Sequence, residues 1–194
     1  AARVRELARQ QGCTPFTVLL AAYKVLLQRL SGQCDLRVGV PIAGRTQSET
    51  QGLIGFFVNT QVLRSELSGA QSFNELLAQV LSTAQGAQAH QALPFEHLVE
   101  ALAPERSLSH NPLFQVLYNH QQRPDEALQL TADLHAELLP LDSGSAQFDL
   151  ALHTWEGPGD VLAGNWNYAL DLSEPASIER LHQRFIGLLE QAYK

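Results

Sequence analysis

The residues able to do acid–base, nucleophilic or metal chemistry are few and scattered. Seven histidines, His90, His97, His110, His120, His135, His153 and His182, stand apart from one another. None adjoins a second histidine or sits at metal-ligand spacing from a cysteine, so each reads as a surface or structural histidine. The chain carries no G-x-S-x-G nucleophile elbow and no G-x-x-x-x-G-K-[ST] phosphate loop. Gly157-Pro158-Gly159 falls in a hairpin turn and lacks the third glycine of a dinucleotide fingerprint. Cys34 precedes a strand without an activating neighbour and is expected to be a buried, inert thiol. With Cys13 it fits a reducing cytoplasm better than a disulfide.

The informative feature is polarity where apolar residues are expected. In IGFFVNTQVLR, residues 54–64, an apolar run meets Asn59-Thr60-Gln61 and then resumes with Val62 and Leu63. The stretch reads as a strand, and two accounts of its polar island are open. One is a strand end or bulge whose side chains bond to backbone. The other is a strand crossing an aqueous channel, since buried amides persist only with partners.

The elements that must position this stretch alternate between helix and strand. Residues 1–11 read as a helix with Val4, Leu7 and Ala8 on one face. It opens without a cap, as expected of a piece of a longer chain. Thr14-Pro15 is an N-cap followed by Pro at the first helical position. The helix over 15–30 is apolar around most of its circumference and should lie between layers, ending at Ser31-Gly32. DLRVGV (35–40) reads as a strand limited by Pro41, followed by a polar loop to Gly52. Ser72 should cap a helix that runs to about residue 91, and Pro94 separates it from a short helix over 94–102. Strands follow at 111–121, 137–141 and 148–156, the last forming a hairpin with 161–170 through a four- or five-residue loop. An amphipathic helix over 177–193 closes the chain. This order predicts an α+β fold with a mixed sheet flanked by helices.

The bulk numbers agree. The 194 residues suffice for one sizeable domain or part of a larger one, and 45% apolar residues argue against wholesale disorder. A net charge of −7 with 13 dispersed basic residues offers no stripe for nucleic acid. The longest apolar helical run is broken by Lys24 and too short for a membrane span.

Three ordered motifs resemble those of condensation domains from nonribosomal peptide synthetases: IGFFVNTQVLR (54–64), HQALPFE (90–96) and RSLSHNPLF (106–114). GCTPFTVLLAAY and DLRVGVPIAGR resemble their flanks, so the likeness spans essentially the whole chain. The family's catalytic signature, H-H-x-x-x-D-G, is missing: no two histidines adjoin, and no aspartate precedes a glycine. The resemblance therefore implies the C-terminal lobe of such a domain, similar to a chloramphenicol acetyltransferase, with the catalytic histidine on an absent N-terminal lobe. No catalytic residue is expected in this chain and no cofactor bound to it directly. The whole domain would join a donor thioester to an acceptor amine, both carried on 4'-phosphopantetheine arms of peptidyl carrier domains. An adenylation domain would adjoin it in the parent chain.

The resemblance also implies site residues. Phe57, Asn59, Thr60 and Gln61 would face the substrate channel. A floor loop is expected at 46–55, including Gly55, with Arg45 holding it through a bidentate contact and Arg64 closing the motif as a structural arginine. A latch adding a strand to the other lobe is expected at the hairpin 148–170. His90, Pro94, Phe95 and Glu96 match the second motif, with Phe95 in the core and Glu96 near a helix N-terminus. Arg106, Asn111 and Pro112 match the third and should set a turn. Trp155 and Trp166 read as packing anchors. Epimerization domains share the fold, but residue 43 is Ala where their motif carries His. RSLSHNPLFQVLYNHQ resembles domains that accept a D-configured donor. Two further alternatives are a non-catalytic carrier-docking module and a stand-alone acyltransferase. An isolated lobe is expected to self-associate through the face that meets its partner.

Overall fold

The computed structural model describes residues 1–45, 47–102, 110–122, 127–131, 134–137, 144–157 and 160–192. Its centre is α2 (Pro15–Ser31), which Thr14 caps by accepting a hydrogen bond from Thr17 N at 3.4 Å. The helix ends at Gly32, whose φ of 71° is the left-handed conformation that glycine adopts without strain. As its all-round apolarity predicts, Val18 through Lys24 are fully buried. α1 (Ala2–Gln10) packs onto it through Val4, Leu7 and Ala8, the face read from the sequence. The other helices around it are α3 (Phe73–Ala89) and α5 (Pro175–Gln191). Ser72 and Glu75 form a reciprocal capping box on α3.

Beneath these helices lies a five-stranded sheet in the order β2-β1-β3-β6-β7. Its strands are β1 (Asp35–Ile42), β2 (Asn59–Glu66), β3 (Val116–Gln122), β6 (Leu150–Gly157) and β7 (Val161–Tyr168). β1, β3 and β6 run parallel, while β2 and β7 are antiparallel edges, giving the expected mixed sheet. β4 (Ala127–Thr131) and β5 (Leu134–Glu137) form a separate two-stranded sheet.

The alternation of each strand divides two cores. Leu36, Val38, Val40, Leu63, Tyr118 and Leu152 face the helical layer. On the opposite face Leu113, Phe114, Leu117 and Ala151 form a smaller cluster covered by Phe95, Leu98 and Val99 of α4 (Phe95–Leu102). Gly39 leaves room for this cluster, since a Cβ there would lie 2.2 Å from the Phe114 ring.

Several expectations need correction. The strand at 54–64 begins only at Asn59, and Leu53, Ile54, Phe56 and Val58 are exposed. Pairing stops at Ile42–Asn59 because Gly44, with φ of 63°, turns the chain away and leaves residues 54–58 no strand to join. β1 instead runs through Pro41, which pairs with Thr60; the β3 ladder on its other side holds only Val38 and Gly39, so the missing N–H breaks no rung there. Cys34 is exposed, and both cysteines are free. The β6–β7 strands leave three residues, 158–160, between them rather than four or five. That hairpin is integral to the main sheet, since β6 pairs with β3 from Val116–Leu150 to Gln122–Glu156. Residue 46, Arg106, most of the strand expected at 137–141 and the Pro158-Gly159 turn lie outside the described residues.

Candidate functional site

One end of the molecule gathers the polar residues that the sequence singles out. β1, β3 and β6 end there, β2 begins there, α2 starts there and α3 finishes there. Crevices at the carboxyl ends of parallel strands are where α/β sheets hold ligands.

Asn59 is the first residue of β2 and acts as a clip. Its Nδ2 donates to Gln91 O at 3.3 Å and Leu93 O at 2.8 Å. Its Oδ1 accepts from Thr60 N at 2.9 Å and Phe95 N at 3.1 Å. The side chain thereby fixes the connection between α3 and α4 to the sheet edge. Gln61 Nε2 donates to Ala87 O at 2.5 Å, tying β2 to the last turn of α3. Thr60 is half-buried opposite Pro41. The polar island is thus a strand start whose amides bond to backbone.

The exposed apolar segment before Asn59 is braced from behind. The Arg45 guanidinium lies 4.2 Å from the Phe57 ring centre and donates to Thr50 O. A Cβ on Gly44 would collide with Phe57 O at 1.9 Å, so only glycine permits this approach. Gly55 sits against the Phe57 ring edge, where a Cβ would come within 3.0 Å. Arg45 therefore holds the loop, through a carbonyl and a ring rather than a bidentate contact.

The second motif closes the same end. His90 Nδ1 lies 2.9 Å from Gly86 O at the end of α3. Pro94 O accepts from His97 N at 3.1 Å in the opening turn of α4, Phe95 packs edge-on to Phe114 at 5.8 Å, and Glu96 is exposed in that first turn. Asn111 Oδ1 accepts from Leu113 N at 3.2 Å, so Asn111-Pro112 sets the turn ahead of β3. Arg64 does not join this group. It lies five residues along β2 from Asn59, about 17 Å away, where it bonds Asp35 at 2.8 Å and Glu66 at 2.5 Å. The Arg64 guanidinium holds the Asp35 carboxyl below the usual carboxylate range.

Two features escaped the sequence reading. The first is a relay across β3, β6 and α1. Tyr118 OH lies 3.0 Å from Thr154 Oγ1, which lies 2.9 Å from His120 Nδ1. His120 Nε2 faces Glu156 Oε1 at 3.4 Å, and Arg5 Nε donates to Glu156 Oε2 at 2.8 Å. A carboxylate only accepts, so Nε2 carries the proton, Nδ1 accepts from Thr154, and Thr154 accepts from Tyr118. Burial pushes the His120 pKa down against the opposing pull of Glu156, in keeping with this neutral form. Burial raises the Glu156 pKa, but Arg5 and His120 outweigh it and hold the carboxyl low. The second feature is Lys24, fully buried, donating to Leu63 O at 2.8 Å and Ser65 Oγ at 2.7 Å. Desolvation pushes its pKa down to about 7.

Between the first turn of α2, the last turns of α3 and the ends of β1 and β2 lies a cleft of about 510 Å³. His120, Gln61, Gln85, Gln88 and Gln91 are among the residues that line it. Among the described residues no cluster of His, Cys, Asp or Glu could hold a metal, and no helix is long and apolar enough to cross a membrane.

Comparison with known proteins gives this arrangement its relatives. The chain is 47% identical over 192 residues to a linear gramicidin synthase of Brevibacillus parabrevis, covering 97% of this chain and 2% of that one. It is 42% identical over 192 residues to phosphinothricin tripeptide synthetase PhsB of Streptomyces viridochromogenes, covering 98% of this chain and 16% of that one. It therefore spans only a small part of the relatives it matches. Among solved structures, holo-AB3403, a four-domain nonribosomal peptide synthetase bound to AMP and glycine, superposes with a TM-score of 0.92 at 25% identity, over 99% of this chain and 16% of that one. The X-domain from teicoplanin biosynthesis superposes with a TM-score of 0.87 at 26% identity, over 99% of this chain and 44% of that one. The Condensation domain profile matches residues 1–194, and the chain belongs to the condensation domain family of nonribosomal peptide synthetases.

Proposed function

We propose that this chain is the C-terminal lobe of a condensation domain and supplies one wall of its substrate tunnel. The acceptor's α-amine attacks the donor's thioester carbonyl. The C–N bond forms as the C–S bond breaks, and the amine's proton leaves with the thiol. The donor aminoacyl or peptidyl group and the acceptor each ride on a 4'-phosphopantetheine arm of a carrier domain, with an adenylation domain in the parent chain. The base or amine-positioning histidine belongs to the N-terminal lobe. The chain's span of 44% of the teicoplanin X-domain fits one lobe of two.

The observation that carries the reading is the braced apolar ledge beside the polar end. Ile54, Phe56 and Val58 are exposed although Arg45, Gly44 and Phe57 fix their backbone from behind. A braced apolar surface of this kind serves contact with another surface, here the N-terminal lobe. Asn59, Thr60 and Gln61 follow it at the tunnel edge. The crossing strand is better assigned to β4–β5, which stands apart from the main sheet, than to the hairpin 148–170.

Joining the chain to its N-terminal half and supplying two loaded carrier proteins tests the proposal. Amide product is expected by mass spectrometry from the joined domain and none from this chain alone. Absence of product from the joined domain, with specific binding of loaded carrier by this chain, favours the docking-module reading instead. Phe56→Asp should abolish self-association of the chain in sizing experiments, and a wild type that is monomeric at high concentration counts against an interface ledge.

A further inference from the structure

The cleft between α2 and α3 has a chemistry of its own. None of its lining residues is a lysine, arginine, aspartate or glutamate, and burial favours the neutral imidazole of His120 over the opposing pull of Glu156. Its volume of about 510 Å³ lies within the range of small-molecule sites, about 300–1,000 Å³. Three of its polar side chains are already engaged. Thr14 and Thr17 bond each other at 3.0 Å, and Gln61 donates to Ala87 O. Gln85 and Gln88, one turn apart on α3, and Gln91 just beyond it also line the cleft. Among the described residues no hydrogen bond engages the side-chain amides of these three. Three free carboxamides beside an apolar wall that includes Phe16, Val40 and Leu81 make a surface able both to donate to and to accept from a neutral amide. A carboxylate or ammonium entering there would meet no lysine, arginine, aspartate or glutamate among the lining residues.

We propose that this cleft is a side-chain subsite for an uncharged, amide-bearing residue of the peptide being joined, read by Gln85, Gln88 and Gln91. The proposal rests on the reading of this end of the lobe as the one that faces the reaction. The amide has two possible sources, a side-chain carboxamide and the backbone of a growing peptide, and a backbone-only probe separates them.

The test is titration of the 194-residue chain, followed by ¹H–¹⁵N chemical shifts, with four probes: N-acetylglutaminamide, N-acetylglycinamide, the α-amide of N-acetylglutamate and N-acetyllysinamide. N-acetylglutaminamide should shift the amides around Thr14 and residues 85–91 saturably, with the glutamate and lysine probes at least about tenfold weaker. A backbone-amide site would bind N-acetylglycinamide equally well and overturn the side-chain assignment. Gln88→Leu should lose the glutaminamide response while keeping its circular dichroism, since Gln88 is exposed on a helix. Gln88→Glu should turn the preference toward N-acetyllysinamide. Diffuse shifts, or equal response to glutaminamide and glutamate, overturn the subsite.

Carrier-bound glutaminyl and glutamyl substrates then distinguish the two failures in the joined domain. Condensation with a glutaminyl preference that Gln88→Leu abolishes supports both readings. Condensation with an unaltered preference overturns the subsite alone. Localised glutaminamide binding without condensation overturns the condensation reading alone.

Discussion

The two ends of β2 carry residues of one sequence motif and use polarity in opposite ways. At the start, Asn59 is half-buried and its amide joins three backbone groups of the α3–α4 connection to the sheet. At the far end, Arg64 is exposed and bridges Asp35 and Glu66 along the sheet surface. On either side of Arg64 in the chain, Leu63 O and Ser65 Oγ hold the buried ammonium of Lys24. Along one strand, therefore, the energetic weight of a polar contact follows the water removed from it. Membership of a motif is a poor guide to that weight.

The largest effect expected along this gradient is at Lys24. Its folded pKa, about 7, lies below the 10.5 of an unperturbed lysine, so the unfolded chain binds the proton more tightly. Stability should rise between pH 7 and 10.5, by up to about 1.4 kcal/mol per pH unit, and be lost again as pH falls back to 7. Urea midpoints at several pH values should show this rise in the wild type and a flattened slope in Lys24→Met. An unchanged slope in the variant would place the titration elsewhere. Asn59→Ala comes next, at about 2 kcal/mol, because it strands partly buried carbonyls and an N–H. Hydrogen exchange should quicken at residues 91–95 and leave the Asp35 and Arg64 pair unaffected; uniform quickening would mean global destabilisation instead.

Glu156→Gln should be milder, about 1 kcal/mol, with a sharper spectroscopic signature. Without the carboxylate, burial acts on His120 unopposed, and its imidazole should titrate at still lower pH by NMR. An upward shift would contradict the proton order of the relay. Least of all, Arg64→Ala should leave the urea midpoint almost unmoved, with any small loss diminishing further in salt. A loss comparable to that of Asn59→Ala would erase the contrast between the two ends.

What was legible in the sequence was local. Thr14-Pro15, Gly32 and Ser72 with Glu75 declare helix ends through their own backbone chemistry, and the apolar circumference of α2 declares its burial. The motif residues were found but not their partners, because Asn59 reaches 32 to 36 residues ahead for its contacts. Ile54 to Val58 reads as a buried strand since apolarity says nothing of what covers a segment; the turn at Gly44 decides that it joins no ladder. Lys24 looked like a break in an apolar face, and its two acceptors come from a strand 39 and 41 residues further along the chain. The neutral cleft has no linear signature at all, being assembled from the ends of separate elements.

Gly39 links the centre of the sheet to its polar end. The Phe114 ring fills the volume that a side chain at the middle of β1 would need, and Phe95 rests edge-on against that ring. Phe95 N is also one of the groups held by Asn59. A methyl group added at Gly39 would push first on Phe114, then on the start of α4, and finally on the amide clip at the opening of β2. The centre of the sheet thus acts as the fulcrum of a short lever, and the tightness of the polar end is set by an atom that the chain leaves out.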